Sequence, residues 1–287
     1  MKYLILDGNN LIFRTWYTAS HVAKLNGYDD DRLNRDHVQF TMNSVLSVAR
    51  KYKSDQVYIT WDERRGETNH RKDINTEYKG NRDGSPDPYR NNDLIKELLS
   101  NLGVISLFPL NLEADDIIAY ICKNLPGQKT VVSVDRDFLQ LINKDVCVFD
   151  PIRKVEFNTE NFEELTGYDQ KDWYIAKCLK GDKSDNIIGV KGFGDVTIRK
   201  FLDGKIELTE DQKNIVEFND SVFTLDMYEK YPDEKEFYSD QLLASPERDM
   251  DSFLSLCLSK DLHMIAKKEV EWNDLFITTP TLLKLFG

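Results

Sequence analysis

The chain has 287 residues, 40 % of them hydrophobic, enough for one large domain or for a core domain with a helical extension. No run approaches the ~18 apolar residues of a membrane span. The N-terminal run MKYLIL meets Asp7 too early for a signal-peptide core, so a cytoplasmic protein is expected. Four scattered cysteines and four scattered histidines, with no Cys-x-x-Cys pair, suggest neither a disulfide framework nor a zinc site. The net charge of −12 weighs against a nucleic-acid partner, but residues 206–287 hold 18 acids against 8 Lys/Arg and carry most of it.

Residues 3–6 (YLIL) predict a strand that runs straight into Asp7. A helical pattern over 39–52 precedes a second strand over 57–60, which is followed by Trp61 and Asp62. Residues 63–91 have almost no apolar content, and from Arg64 to Arg82 six Lys/Arg stand against three acids. A solvated loop is the plain expectation, but this length favours a functional one, lying over the acid that precedes it. A helix over 92–102 and a strand over 104–108 lead to the stretch LEADDI, where Glu113, Asp115 and Asp116 crowd the mouth of an apolar helix over 115–125. The next strand, 130–134, ends in Asp135 with Asp137 two residues on, and a further strand covers 146–149. Alternating helices and continuous apolar strands predict an α/β domain around a mostly parallel sheet, whose ligands gather at the carboxyl ends of strands.

A helix over 171–180 then opens the segment GDKSDNIIGVKGFG. Asp182 and Asp185, three apart, share a side if the turn is helical. Gly189, Gly192 and Gly194 alone read as a plain inter-helix turn; beside the Asp pair they favour a turn whose backbone N–H groups make an anion nest for a phosphate. The acidic tail reads as a solvated helical extension or a surface for a protein partner.

A single acid after a strand is ordinary turn chemistry. Three strands ending in carboxylates, with the helix mouth at 113–116, are not. Without metal, nine acids would repel one another by several kcal/mol per close pair. All-oxygen donors point to Mg²⁺ or Mn²⁺, and a site of this size suits two ions ~3.5–4 Å apart, the arrangement that activates water and stabilises a leaving oxygen. Setting the nine aside turns the −2 of residues 1–205 into +7, a basic face suited to DNA.

ILDGNNLIFR, ITWD, YKGNR, LEADD, VSVDRDF and KGDKSDNIIGVKGFG occur in the order seen in flap-endonuclease-type 5′ nucleases of phages and bacteria, and the chain resembles the phage 5′→3′ exonucleases and the phage RNase H over residues 1–205. The resemblance implies a PIN-like α/β domain over 1–170, with an arch over the active site formed by 63–91. It implies a helix–hairpin–helix region and acidic extension over 171–287. It makes Asp7, Asp62, Glu113, Asp115, Asp116, Asp135 and Asp137 ligands of one or both metals, with Asp182 and Asp185 serving the second. Lys79 and Arg82 would reach the scissile phosphate from the arch as cations that offset its developing charge, a catalytic role shared with Asp135 and Asp137, and Tyr78 would stack on a terminal base. Arg14 and Lys177 match bases near the cleaved strand. Gly189, Lys191, Gly192 and Gly194 would hold the unbroken strand, with a monovalent cation at the hairpin.

The implied function is a monomeric, structure-specific 5′ nuclease that removes RNA primers and 5′ flaps. Its implied partners are branched or nicked DNA, RNA–DNA hybrids, and replication proteins such as single-strand binding protein. An RNase H-fold ribonuclease would need fewer acids and no hairpin, and an inert branched-DNA binding module would be expected to lose some acids. Within LEADDI the chain is expected to enter its helix around Asp115, with Glu113 reaching back and Asp115 the first choice for a direct metal contact.

Overall fold

The structure, a computed structural model, describes residues 1–62, 70–75, 87–244 and 246–278. Six strands form one sheet in the order β3-β2-β1-β4-β5-β6, from β1 (Lys2–Asp7), β2 (Gln56–Thr60), β3 (Ile105–Leu107), β4 (Gln128–Val132), β5 (Val146–Asp150) and β6 (Val155–Phe157). The first five run parallel; β6, a short edge strand that the apolar pattern does not announce, returns antiparallel along β5. Chain order reverses at β1, which lies between β2 and β4, so the crevice at its carboxyl end is the place where this topology binds ligands.

Alternation along β1 divides the core. Leu4 and Leu6 face α1 (Gly8–Asn26), α2 (Asp30–Tyr52) and, beyond α3 (His70–Ile74), α4 (Asn92–Asn101). Tyr3 and Ile5 face α5 (Ala114–Asn124), with α6 (Phe162–Thr166) and α7 (Gln170–Lys180) beyond it. α7 leads into a two-stranded hairpin, β7 (Gly181–Asp182) and β8 (Ile187–Ile188), followed by α8 (Asp195–Leu202), α9 (Glu210–Phe223) and α10 (Pro232–Leu242). Three last helices, α11 (Met250–Ser259), α12 (His263–Ala266) and α13 (Glu269–Asn273), return to the opposite face, where Phe253, Ile265 and Trp272 share a core with Leu46 and Leu98. A boundary at residue 170 therefore separates chain order and not cores. The acidic extension packs on both faces of the sheet.

Two local features hold the first helix pair in place. Gly8 begins α1 because its backbone passes so close to β2 that a Cβ would run into the Thr60 carbonyl and the Trp61 ring. His37, fully buried, donates from Nε2 to the Ile12 carbonyl at 3.1 Å and accepts at Nδ1 from the Asn91 amide at 3.1 Å. Burial lowers its pKa from 6.5 to about 4. The unfolded chain therefore takes up the proton first. Stability should be intact above pH 6.5 and lost, by on the order of 3 kcal/mol, as the pH falls through about 4. Urea titrations from pH 7 to pH 4 should show that loss, and a His37→Gln variant should lack this component. No helix among the described residues is long and apolar enough to cross a membrane.

Candidate active site

Strand register brings the first acids level. Asp7 pairs with Thr60 and Leu6 with Val132, so Asp7, Asp62 and Asp135 leave three adjacent strands within three residues of one line. Asp7 caps α1 by accepting from the Asn10 N–H at 3.0 Å and also accepts from the Ser133 hydroxyl at 2.7 Å. That hydroxyl in turn accepts from the Asp135 N–H at 3.0 Å, which links the acids of β1 and β4 through one serine. Asp135 then accepts from the Asp137 N–H at 2.8 Å. Asp62 is gripped from two sides, by the Asn9 amide at 2.5 Å and by the Ala114 N–H at 2.7 Å, the first amide of α5.

The electrostatics follow from this crowding. Asp7 is 7 % exposed, and burial raises its pKa to about 6 against the two hydrogen bonds that lower it; the charges of Asp135 and Asp62 push in the same direction as burial. Lys177 reaches from α7 into the same place and pairs with Asp137, its ammonium 4.4 Å from the centre of the Phe223 ring. Its pKa is lowered, chiefly by burial, while Asp135, Asp182 and Asp185 act to raise it. Lys177, expected near a cleaved strand, is thus paired with Asp137 at the mouth of the same cleft. Arg14 stands beside Asp7 and Asp150, its Nε buried without a hydrogen-bond partner. Its side chain lines a groove of about 650 Å³ together with Ser44, Lys51 and Lys154.

LEADDI divides in two. The helix starts at Ala114 with Glu113 as its N-cap, one residue before Asp115. Glu113 and Asp116 thus share the inner side, and both meet Arg71, which is 2 % exposed. Arg71 donates to both oxygens of Asp116 at 2.6 and 2.9 Å and to Glu113 Oε2 at 3.2 Å. It also donates to the carbonyls of Val222 and Thr224 at 3.0 and 2.8 Å. Asp116, expected as a metal ligand, is fully buried with both oxygens taken by a guanidinium, an anchor facing the protein. Asp115 turns the other way and is partly exposed.

The hairpin segment also corrects an expectation. Asp182 and Asp185 do not share a helical turn. Gly181 (φ 67°) ends α7 and Asn186 (φ 59°) closes a turn between β7 and β8, with Asp182 accepting from the N–H and hydroxyl of Ser184 at 2.8 and 2.5 Å. Gly189 packs so tightly on α7 that a Cβ would meet the Lys180 carbonyl. Gly192 (φ 84°) and Gly194, by contrast, are exposed with open space where a Cβ would point, and Lys191 is exposed beside them. Asn219 from α9 fastens the hairpin, donating to the carbonyls of Cys178 at 2.7 Å and Ile188 at 3.0 Å. Tyr78, Lys79 and Arg82 lie outside the described residues.

The donor set suits a hard divalent cation: carboxylates from β1, β2, β4 and α5, with no cysteine or histidine among the candidate ligands, and a buried acid whose ionisation its neighbours oppose. Among the described residues no three His, Cys, Asp or Glu side chains are drawn close enough together to hold one ion. Sequence patterns pointed to most of these acids but missed Arg71, Ser133, Asn9 and Asn219. Only Asn9 carried a local signal, as a polar residue one position into the helix that Asp7 caps.

Comparison with known proteins identifies the family and the fold. Residues 2–167 match a family model described as the 5′-3′ exonuclease, N-terminal resolvase-like domain. A 5′-3′ exonuclease of Bacillus subtilis is 31 % identical over 208 residues, 70 % of this chain and 69 % of that protein. A DNA polymerase I of Caldicellulosiruptor bescii is 30 % identical over 237 residues, 77 % of this chain; the match spans about a quarter (26 %) of the polymerase. Among solved structures, a bacteriophage T5 D15 flap endonuclease in a pseudo-enzyme-product complex with DNA and metal ions superposes with a TM-score of 0.60 at 22 % identity, covering 84 % of this chain and 98 % of that one. That likeness is one of fold: a mostly parallel sheet flanked by helices.

Proposed function

This chain belongs to the 5′-3′ exonuclease family, and from that premise we propose that it is a structure-specific 5′ nuclease, hydrolysing phosphodiester bonds with divalent metal, Mg²⁺ or Mn²⁺. The observation that carries the reading is that Asp7, Asp62 and Asp135 leave adjacent strands at the sheet's switch point, where the charges of Asp62 and Asp135 oppose the ionisation of buried Asp7. Asp7, Asp62, Glu113, Asp115, Asp135 and Asp137 are the residues proposed to hold one or two ions, with Asp182 and Asp185 on the hairpin serving the second. Bound there, such ions supply a water of lowered pKa and stabilise the leaving oxygen.

This chain's own residues set the frame for that chemistry. Ser133 and Asn9 orient Asp7 and Asp62 by hydrogen bonds, and Lys177 pairs with Asp137. The exposed backbone of Gly192 and Gly194 is suited to a phosphate of an unbroken duplex strand, and Arg14 to a phosphate nearer the cut. Lys79, Arg82 and Tyr78 are proposed to act on the scissile phosphate and the terminal base. The proposed substrates are branched or nicked DNA and RNA–DNA hybrids with 5′ ends.

Product mapping on 5′-labelled flap, nicked and hybrid substrates tests this directly. With Mg²⁺, short 5′ products and cuts at the branch point are expected, and EDTA should remove them. Tight binding to branched DNA with no cleavage in any divalent metal would leave a binding module in place of a nuclease.

A further inference from the structure

The strongest observation outside the site lies in the acidic extension. Glu234, in the first turn of α10, is 2 % exposed, although nothing in its sequence context distinguishes it from the solvated acids around it. Its carboxylate accepts from three successive backbone N–H groups: Leu110 at 3.1 Å, Asn111 at 2.5 Å and Leu112 at 3.1 Å. The next two amides continue the pattern, Glu113 donating to Asp116 at 3.1 Å and Ala114 to Asp62 at 2.7 Å. Five consecutive N–H groups, from Leu110 to Ala114, thus all donate to carboxylates. One end of that rail is fixed in the cleft by Asp62 and the other is fixed by α10.

The same helix grips the rail's approach a second time. Gln241 accepts from the Phe108 N–H at 2.8 Å and donates to the Phe108 carbonyl at 2.9 Å, as a neighbouring strand would. Tyr231, which precedes α10, stacks on His70 with ring centres 4.0 Å apart, next to Arg71. Glu234 takes all three amides of the turn over 110–112, and α5 begins only two residues later.

We infer that Glu234 is a positioning residue of the nuclease site: it sets where the 110–112 turn lies and thereby where α5 presents Glu113 and Asp115 and meets Asp62. This rests on the metal-nuclease reading above. The extension would then be part of the active site's support, not a solvated appendage.

Glu234→Gln keeps the size and one acceptor oxygen and loses the charge; Glu234→Ala loses all three bonds. Hydrogen exchange on the DNA-free protein should show the Glu113 and Ala114 amides losing about tenfold of their protection in the Gln variant, with β1 amides unchanged. Mn²⁺ binding followed by calorimetry, and the Mg²⁺ midpoint of single-turnover cleavage, should weaken by about 10-fold in Gln and by more in Ala, in the range seen when outer-shell partners of metal ligands are removed. Unchanged protection at Glu113 and Ala114 overturns the inference, whatever the nuclease assays give. So does a metal midpoint that stays within twofold while the melting temperature falls, the mark of a purely structural helix contact. If the unaltered protein neither binds Mn²⁺ nor cleaves, the nuclease reading fails instead, and the exchange data still decide whether Glu234 holds the turn.

Discussion

An Arg71→Met variant is expected to lose about 3–5 kcal/mol of folding stability, the usual cost of removing one partner from a buried ion pair. The size follows from what is left behind. Asp116 is fully buried and Glu113 nearly so, and the carbonyls of Val222 and Thr224 lose their donor as well. Burial already raises the Asp116 pKa, with Arg71 the main influence opposing it, so loss of the guanidinium should push the Asp116 carboxyl further up. Denaturant unfolding measures the loss; a change below about 1 kcal/mol would mean that the clamp is not formed in solution. The double variant Arg71→Met/Asp116→Leu should recover much of it, because a buried pair replaced as a whole by apolar groups is often close to neutral. It should not recover cleavage to the same degree, since Glu113 loses its contact with Arg71 in both.

Arg71 also shows where sequence stops being informative. It lies in the polar stretch after Asp62, and its burial is decided by partners 42, 45 and 151 residues away, which no local pattern reports. Glu234 is hidden for the same reason, as one acid among many in an acidic tail. By contrast, the strands leading to Asp7, Asp62 and Asp135 were legible because continuous apolar runs mark buried parallel strands, while the β2-β1-β4 order and register that bring the acids level appear only in the structure. The rule has a bland case in the same sheet. β5 also ends in a buried acid, Asp150, but that side chain caps the turn to β6, accepting from the Ile152 and Arg153 N–H groups at 2.9 Å. Spacing alone misled at Asp182 and Asp185, where positive φ at Gly181 and Asn186 makes a hairpin of what an i, i+3 pattern suggests is a helix. The antiparallel β6, three residues long, is too short to stand out by pattern.

Asp7→Asn should separate stability from activity more sharply than any other change. In the metal-free protein the buried Asp7 carboxyl binds its proton more tightly than in the unfolded chain, with a pKa near 6 against 3.8. Its contribution to stability is therefore complete below pH 3.8 and is lost as the pH rises through about 6, on the order of 3 kcal/mol in all. Asparagine carries no such penalty, and its side-chain oxygen can still accept from the Asn10 N–H that caps α1. Thermal unfolding in EDTA should find the variant equal to or less stable than the parent at pH 5 and more stable at pH 8. The order should reverse when Mg²⁺ is added to the parent, because an ion removes the repulsion that asparagine only avoids. Cleavage should fall about 10³-fold, the loss of several kcal/mol of charge stabilisation at the reacting phosphate. A variant that is less stable than the parent at pH 8 without metal would show that Asp7 is not held uncompensated. One that still cleaves at the parent rate would remove Asp7 from the metal site.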